Sequence, residues 1–315
     1  MNSKQPSTFA VVGLGKMGLD WIVQILEGGH EVIGFDIQEA SRESAPKIVQ
    51  ASLDWVGRKR HPETEDFATQ ALSRFQVAPN EEAFQKALND SQILFEVVFE
   101  DLRLKCDLLA RLTPSLPSDA MIWTNTSSLS IARMAHASGR PSKVVGAHGM
   151  NPVYRMPGVE VIRHEEIDSE TLKNTVRLIE QMGKIPFIAS DVTGFWVNKL
   201  LVPFTLDAIR ALERGEISVE DGDKGLHLCL GHPQGVFKLA DFIGLDTMYR
   251  VSVAMYLDSQ DPRYYPPALL TRLFKEGSFG VKSGRGFYSW EKSRCKGPRD
   301  FSNQLLDSPG KILSI

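Results

Sequence analysis

Phe9-Ala10-Val11-Val12-Gly13-Leu14-Gly15-Lys16-Met17-Gly18 is an apolar run that opens onto a Gly-x-Gly-x-x-Gly loop. In such a loop the first glycine permits a tight turn, the second lets backbone approach a pyrophosphate, and the third lets helix pack on strand. The N-terminus of the following helix adds N–H donors and the positive end of a dipole. Residues 8–12 read as a buried strand, and residues 16–28 as a helix that stops at Gly28-Gly29. A second strand, Glu31-Val32-Ile33-Gly34-Phe35, ends at Asp36, eighteen residues after Gly18 and close to the ~20 expected of a dinucleotide site. Asp36 there would bind the ribose 2′-hydroxyl and repel a 2′-phosphate, which favours NAD over NADP. The expected cofactor loop is Gly13, Leu14, Gly15, Lys16, Met17 and Gly18, with Asp36 at the ribose.

Outward from this unit, residues 39–74 carry two helical patterns broken at His61-Pro62, because the residue before proline disfavours helix. They form a helical hairpin whose first arm ends in the basic run Arg58-Lys59-Arg60. Short strands then alternate with helices at Ile93–Phe95, Ala120–Trp123, Val144–Ala147, Val159–Ile162 and Ile185–Ile188. That alternation predicts an α/β domain over residues 1–190, with a mostly parallel sheet covered on both faces. From Asp191-Val192-Thr193-Gly194 onward the period is helical, as in Leu200, Leu201, Phe204, Ile209 and Leu212, which predicts an all-α domain over 191–290. Residues 291–315 are polar with scattered Gly and Pro and read as a tail.

The bulk numbers narrow the function. With 315 residues the chain has room for two domains, and its 42% hydrophobic and 24% charged residues are those of an ordinary globular protein. A net charge of -3 gives no electrostatic case for nucleic acid. No apolar run approaches a membrane span. Cys106, Cys229 and Cys295 are odd in number and far apart, so neither a metal pattern nor a disulfide framework is expected. With no signal or transit segment ahead of the first strand, a reducing cytoplasm is the expected location.

The chemical residues follow from the cofactor. Moving a hydride from an alcohol to NAD requires a base for the hydroxyl proton, and histidine is suited to that work near neutral pH. His148 ends a predicted strand, and open α/β sheets bind ligands at the carboxyl ends of their strands. Glu160, twelve residues on, lies on the next predicted strand and folds back as the carboxylate partner of the imidazole. His30, His61, His136, His164, His227 and His232 read as structural, in helix ends, loops or surface segments. Asn125-Thr126-Ser127-Ser128 reads as a turn with a helix cap, Ser128 capping and Ser127 facing the cleft.

Taken in order, Gly13–Gly18, Asn125-Thr126-Ser127-Ser128, His148-x-x-Asn151-Pro152, Val159-Glu160-Val161, Thr193-Gly194-Phe195-x-Val197-Asn198, Leu239-Ala240-Asp241-x-x-Gly244-Leu245-Asp246 and Gly284-x-Gly286-Phe287-Tyr288 resemble the 3-hydroxyacyl-CoA dehydrogenases over about residues 8–290. The resemblance implies a Rossmann-like NAD domain and a helical C-terminal domain for substrate and dimerisation. It also implies oxidation of a 3-hydroxyacyl thioester to the 3-oxoacyl thioester, or the reverse, in fatty acid metabolism. Matched position by position, it makes His148 the general base and Glu160 its partner. Ser127 and Asn198 then hold the substrate oxygens. Glu100, Lys105, Ser127, Asn151 and Lys282 match positions at the NAD, and Ser52, Lys59 and Ser127 positions at coenzyme A. A solvated charge cluster is an equal reading of Lys59.

Departures from the family pattern bear on the acyl group. Gly149 and Met150 replace two aromatic residues, Trp196 replaces a smaller aliphatic one, and Gln234 and Val236 alter a Pro-Met-Gly-Pro segment. These changes are expected around the acyl pocket, in favour of an acyl group that is not a plain fatty chain, or is short and polar. Two alternatives keep the chemistry: a thioester on an acyl carrier protein, and a free hydroxy acid. A third is an NAD-binding protein without catalysis, against which the set Ser127, His148, Glu160 and Asn198 argues.

Overall fold

The computed structural model describes residues 6–301. Packing divides them between Trp196 and Val197 into two compact units. The first holds eight strands and seven helices: β1 (Thr8–Val12), α1 (Lys16–Glu27), β2 (Glu31–Phe35), α2 (Glu39–Arg60), α3 (Phe67–Leu72), β3 (Phe75–Val77), α4 (Glu81–Leu88), β4 (Ile93–Glu96), α5 (Leu102–Leu112), β5 (Met121–Thr124), α6 (Ile131–Ala137), β6 (Val144–Gly149), β7 (Gly158–Arg163), α7 (Ser169–Gln181) and β8 (Ile185–Ser190). The strands form one sheet in the order β3-β2-β1-β4-β5-β6-β7-β8. Every pairing is parallel except β6 with β7. This is the Rossmann-like architecture expected from the strand–helix alternation.

Strand side chains alternate between faces, and β1 shows the consequence. Phe9 and Val11 join one apolar layer with Trp21, Ile22 and Ile25 of α1, while Ala10 and Val12 join the other with Phe84, Leu88, Leu108 and Leu109 of α4 and α5. Helices therefore cover both faces, and the loops at the carboxyl ends of the strands are left to carry chemistry. The first arm of the helical hairpin runs to Arg60, and the break falls at the expected His61-Pro62.

The second unit is α8 (Val197–Glu213), α9 (Val219–Leu230), α10 (Val236–Ile243), α11 (Leu245–Ser259) and α12 (Ala268–Lys275), closed by a hairpin of β9 (Tyr288–Glu291) and β10 (Arg294–Pro298). Its core centres on Leu206, Phe237, Leu270 and Phe287. Two of the ordered motifs have a packing role here. Buried Asp241 accepts bonds of 2.8 Å from the backbone of Phe287 and Tyr288 and from the Trp290 indole. A Cβ on Gly286 would lie 2.0 Å from the Asp241 carboxylate, so only glycine lets the hairpin close on it.

That hairpin corrects the reading of 291–315 as a tail for its first part, since 294–298 pair with β9. The turn residues Lys292 and Ser293 both have positive φ, the geometry of a tight hairpin turn, without the Asn-Gly pair that announces one. Residues 302–315 lie outside the described residues. Among the described residues no helix is long and apolar enough to cross a membrane.

Candidate active site

The antiparallel step between β6 and β7 builds the centre of the site, because its register sets His148 directly opposite Glu160. The imidazole Nδ1 lies 2.6 Å from Glu160 Oε2. Glu160 is fully buried and His148 only 5% exposed, so the pair is sheltered from water. The other carboxylate oxygen, Oε1, accepts the Trp196 backbone N–H at 3.1 Å. Phe195 sets its ring edge-on to the imidazole, 5.8 Å between centroids. A carboxylate bonded to Nδ1 fixes the tautomer in which that nitrogen carries the proton. Nε2 is then left with its lone pair.

The glycine loop can be accounted for residue by residue. Gly13 has φ +101° and a Cβ there would meet Val97 O at 2.4 Å, while a Cβ on Gly18 would meet Gly13 O at 1.9 Å. Both glycines are required by the protein's own packing. A Cβ on Gly15 would meet nothing within 4 Å. Packing therefore does not explain Gly15, whereas the approach of a pyrophosphate does. Gly15 caps α1 without any side-chain bond, so among the described residues no hydroxyl or carboxylate covers the first-turn N–H groups. Asp36 takes N–H bonds of 2.8 Å from Leu14 and Gln38, one on each oxygen, which leaves lone pairs for a ribose hydroxyl. These residues fit a dinucleotide.

Glu100 gathers the next group. Its Oε1 accepts from Thr126 Oγ1 at 2.6 Å, Ser127 N at 2.8 Å and Ser127 Oγ at 3.1 Å. Lys105 is fully buried, with Nζ 2.7 Å from Glu96 Oε1, 3.1 Å from Val98 O and 3.6 Å from Glu100 Oε2. Glu96, itself fully buried, also accepts from Thr124 Oγ1 and Val98 N. Sequence reading missed Glu96; the signal was a carboxylate closing the apolar strand Ile93-Leu94-Phe95. The expected cap at Ser128 is corrected too. Ser130 caps α6, and Thr126 closes the turn before it by accepting from Leu129 N, because burial of Ile131 fixes where the helix begins.

Ser52 and Lys59 share a face of α2, the first half-buried and the second exposed. Asn151 is exposed in the loop after β6. Asn198, in the first turn of α8, and Lys282, which pairs with Asp246, belong to the second unit. Among the described residues no group of His, Cys, Asp and Glu gathers as metal ligands would.

The departures sort differently from expectation. Gly149 points to the face opposite His148, where a Cβ would lie 2.9 Å from the Trp21 indole, so Trp21 fills that space. The Trp21 Nε1–H and the Gly149 N–H both donate to Asn125 Oδ1. Val236 is buried in the helical core. Of these departures Trp196, 57% exposed, keeps a direct bond to the pair, through its backbone on Glu160.

The loop between β6 and β7 is anchored from three sides. Asp20 accepts the Val153 N–H at 3.1 Å, and buried Lys184 donates to Val153 O at 2.6 Å and Met156 O at 2.7 Å. Arg60 donates to Tyr154 O and pairs with Glu27 at 2.8 Å. Burial pushes Lys184 down to about 8 from its ordinary 10.5, with Arg60 acting the same way and Glu27 opposing. Between those values the unfolded chain holds a proton that the folded chain has released, so this group adds stability as pH rises through the window. Below about 8 both states are protonated and the cost of burial is full. Urea melts at about pH 8 and pH 10 should therefore show wild type gaining on Lys184→Met, and a constant difference would contradict the shift.

The sequence matches the family model described as 3-hydroxyacyl-CoA dehydrogenase, NAD binding domain, over residues 8–192, and the C-terminal domain model over 194–290. It is 36% identical over 283 residues to a 3-hydroxybutyryl-CoA dehydrogenase of Mycobacterium tuberculosis, covering 89% of this chain and 97% of that one. It is 32% identical over 286 residues to the mitochondrial hydroxyacyl-coenzyme A dehydrogenase of Sus scrofa, covering 89% and 90%. The structure of (S)-3-hydroxybutyryl-CoA dehydrogenase from Ralstonia eutropha superposes with a TM-score of 0.85 at 33% identity, covering 91% of this chain and 100% of the other.

Proposed function

We propose that this chain, which belongs to the 3-hydroxyacyl-CoA dehydrogenase family, interconverts a 3-hydroxyacyl-CoA and its 3-oxoacyl thioester with His148 as the base and Glu160 as its partner. The observation that carries this reading is the 2.6 Å bond from His148 Nδ1 to a fully buried carboxylate at the carboxyl end of the sheet. NAD, when bound, supplies the hydride acceptor. Gly15 admits its pyrophosphate to the α1 N-terminus in the turn that Gly13 and Gly18 shape, and Asp36 takes the ribose hydroxyls. His148 Nε2 receives the proton of the 3-hydroxyl, and Glu160 holds the ring and stabilises the cation that forms. In the reverse direction the same nitrogen returns the proton. Ser127 orients the substrate oxygen.

NADH oxidation should be fast with acetoacetyl-CoA and slow with free acetoacetate. Fast turnover of the free acid or of the acyl-carrier-protein thioester alone would keep the base and reassign the carrier. Asp36→Ser is expected to weaken NADH binding about tenfold and to narrow its preference over NADPH. An unchanged preference in fluorescence titrations would leave Asp36 only the task of closing the loop at Leu14.

A further inference from the structure

The basic face near the end of α2 divides into two kinds of cation. Arg60 and Lys184 are consumed: the first by Glu27 and Tyr154 O, the second by Val153 O and Met156 O. Lys59 and Arg155 are not; among the described residues no carboxylate lies within 4.0 Å of either. Arg155 is nevertheless held in place. Its guanidinium lies over the Trp55 ring, 4.4 Å from the centroid, and 5.5 Å from that of Tyr154. The two rings meet edge to face at 5.7 Å, which makes one aromatic floor from α2 and the β6–β7 loop. Residues on both sides of Arg155 are tied down by buried Lys184 and by Asp20, so this exposed arginine is presented from a fixed backbone.

Stacking occupies the face of a guanidinium and leaves its edge of N–H donors free, and that edge matches a phosphate. Trp55 follows Ser52 by three positions and precedes Lys59 by four, so all three share one side of α2. We infer that Arg155, stacked on Trp55, is a phosphate-binding residue that recognises the phosphorylated nucleotide end of the thioester carrier beside Lys59. This rests on the proposed function, since it assumes a coenzyme A thioester.

Arg155→Gln tests it in NADH oxidation with acetoacetyl-CoA, acetoacetyl-dephospho-CoA and acetoacetyl-pantetheine. The expected result is a KM for acetoacetyl-CoA raised about tenfold, with kcat unchanged and both constants unchanged for the pantetheine thioester. A rise that persists with dephospho-CoA supports contact with the pyrophosphate, and a rise lost there supports contact with the 3′-phosphate. An unchanged KM for acetoacetyl-CoA, or an equal rise for acetoacetyl-pantetheine, would overturn the inference. Should wild type turn over none of these thioesters, the proposed function fails instead. Calorimetry with adenosine 3′,5′-bisphosphate then decides about Arg155: weaker binding to the variant than to wild type supports it, and equal or absent binding overturns it.

Discussion

His148→Gln is expected to lower kcat for 3-hydroxybutyryl-CoA oxidation by about 10³-fold, inside the 10²–10⁴ that a positioned general base contributes, with NADH affinity unchanged. Glutamine fills much of the volume and can still donate to Glu160 Oε2, but it offers no nitrogen that accepts a proton at neutral pH. The structural cost is small, because the register of β6 against β7 is set by backbone pairing from Gly146 to Gly149. The cofactor loop belongs to another part of the sheet, after β1, so NADH titration should report an intact site. Steady-state rates with fluorescence titration check both halves. A kcat within tenfold of wild type would remove His148 from the base role.

The second large effect concerns stability. Lys105→Met should destabilise the protein by about 3–5 kcal/mol, the usual loss when one partner of a buried ion pair is removed, or roughly 10 °C in Tm for a unit of this size. Glu96 and Lys105 are both fully buried. The Val98 N–H and the Thr124 hydroxyl still donate to Glu96 in the variant, but no positive charge remains to offset its carboxylate. Adding Glu96→Gln to the variant should restore part of the loss, since the charge left behind disappears. Thermal melts of the two single variants and the double variant make the comparison. A variant that melts like wild type and fails to bind NADH would show that Lys105 serves the cofactor and not the fold.

The sequence made the N-terminal unit legible where local chemistry repeats the fold's own rule. An apolar run, three glycines and an aspartate after the next strand describe β1, the loop, α1 and β2 with boundaries within one residue. The reversal of β7 against β6 was not legible. A strand's alternation carries no direction, and the loop from residue 150 to 157 has no hairpin signal. The pairing of His148 with Glu160 was suggested by their order and spacing, whereas the cross-strand register that places them together is a property of the sheet. Glu96 with Lys105 and Lys184 with its two carbonyls went unread, because the apolar surroundings that make such charges consequential come from distant segments. Gly149 misled for the same reason. The volume it vacates is taken by Trp21, far away in the chain but packed beneath the same strand.

The most direct measurement uses 3-hydroxybutyryl-CoA deuterated at C3, with NAD and the wild-type protein. The expected result is deuterium at C4 of the NADH nicotinamide, accompanied by acetoacetyl-CoA in equal amount. NADH free of deuterium, or no NADH from this thioester, would contradict the proposed hydride transfer from C3.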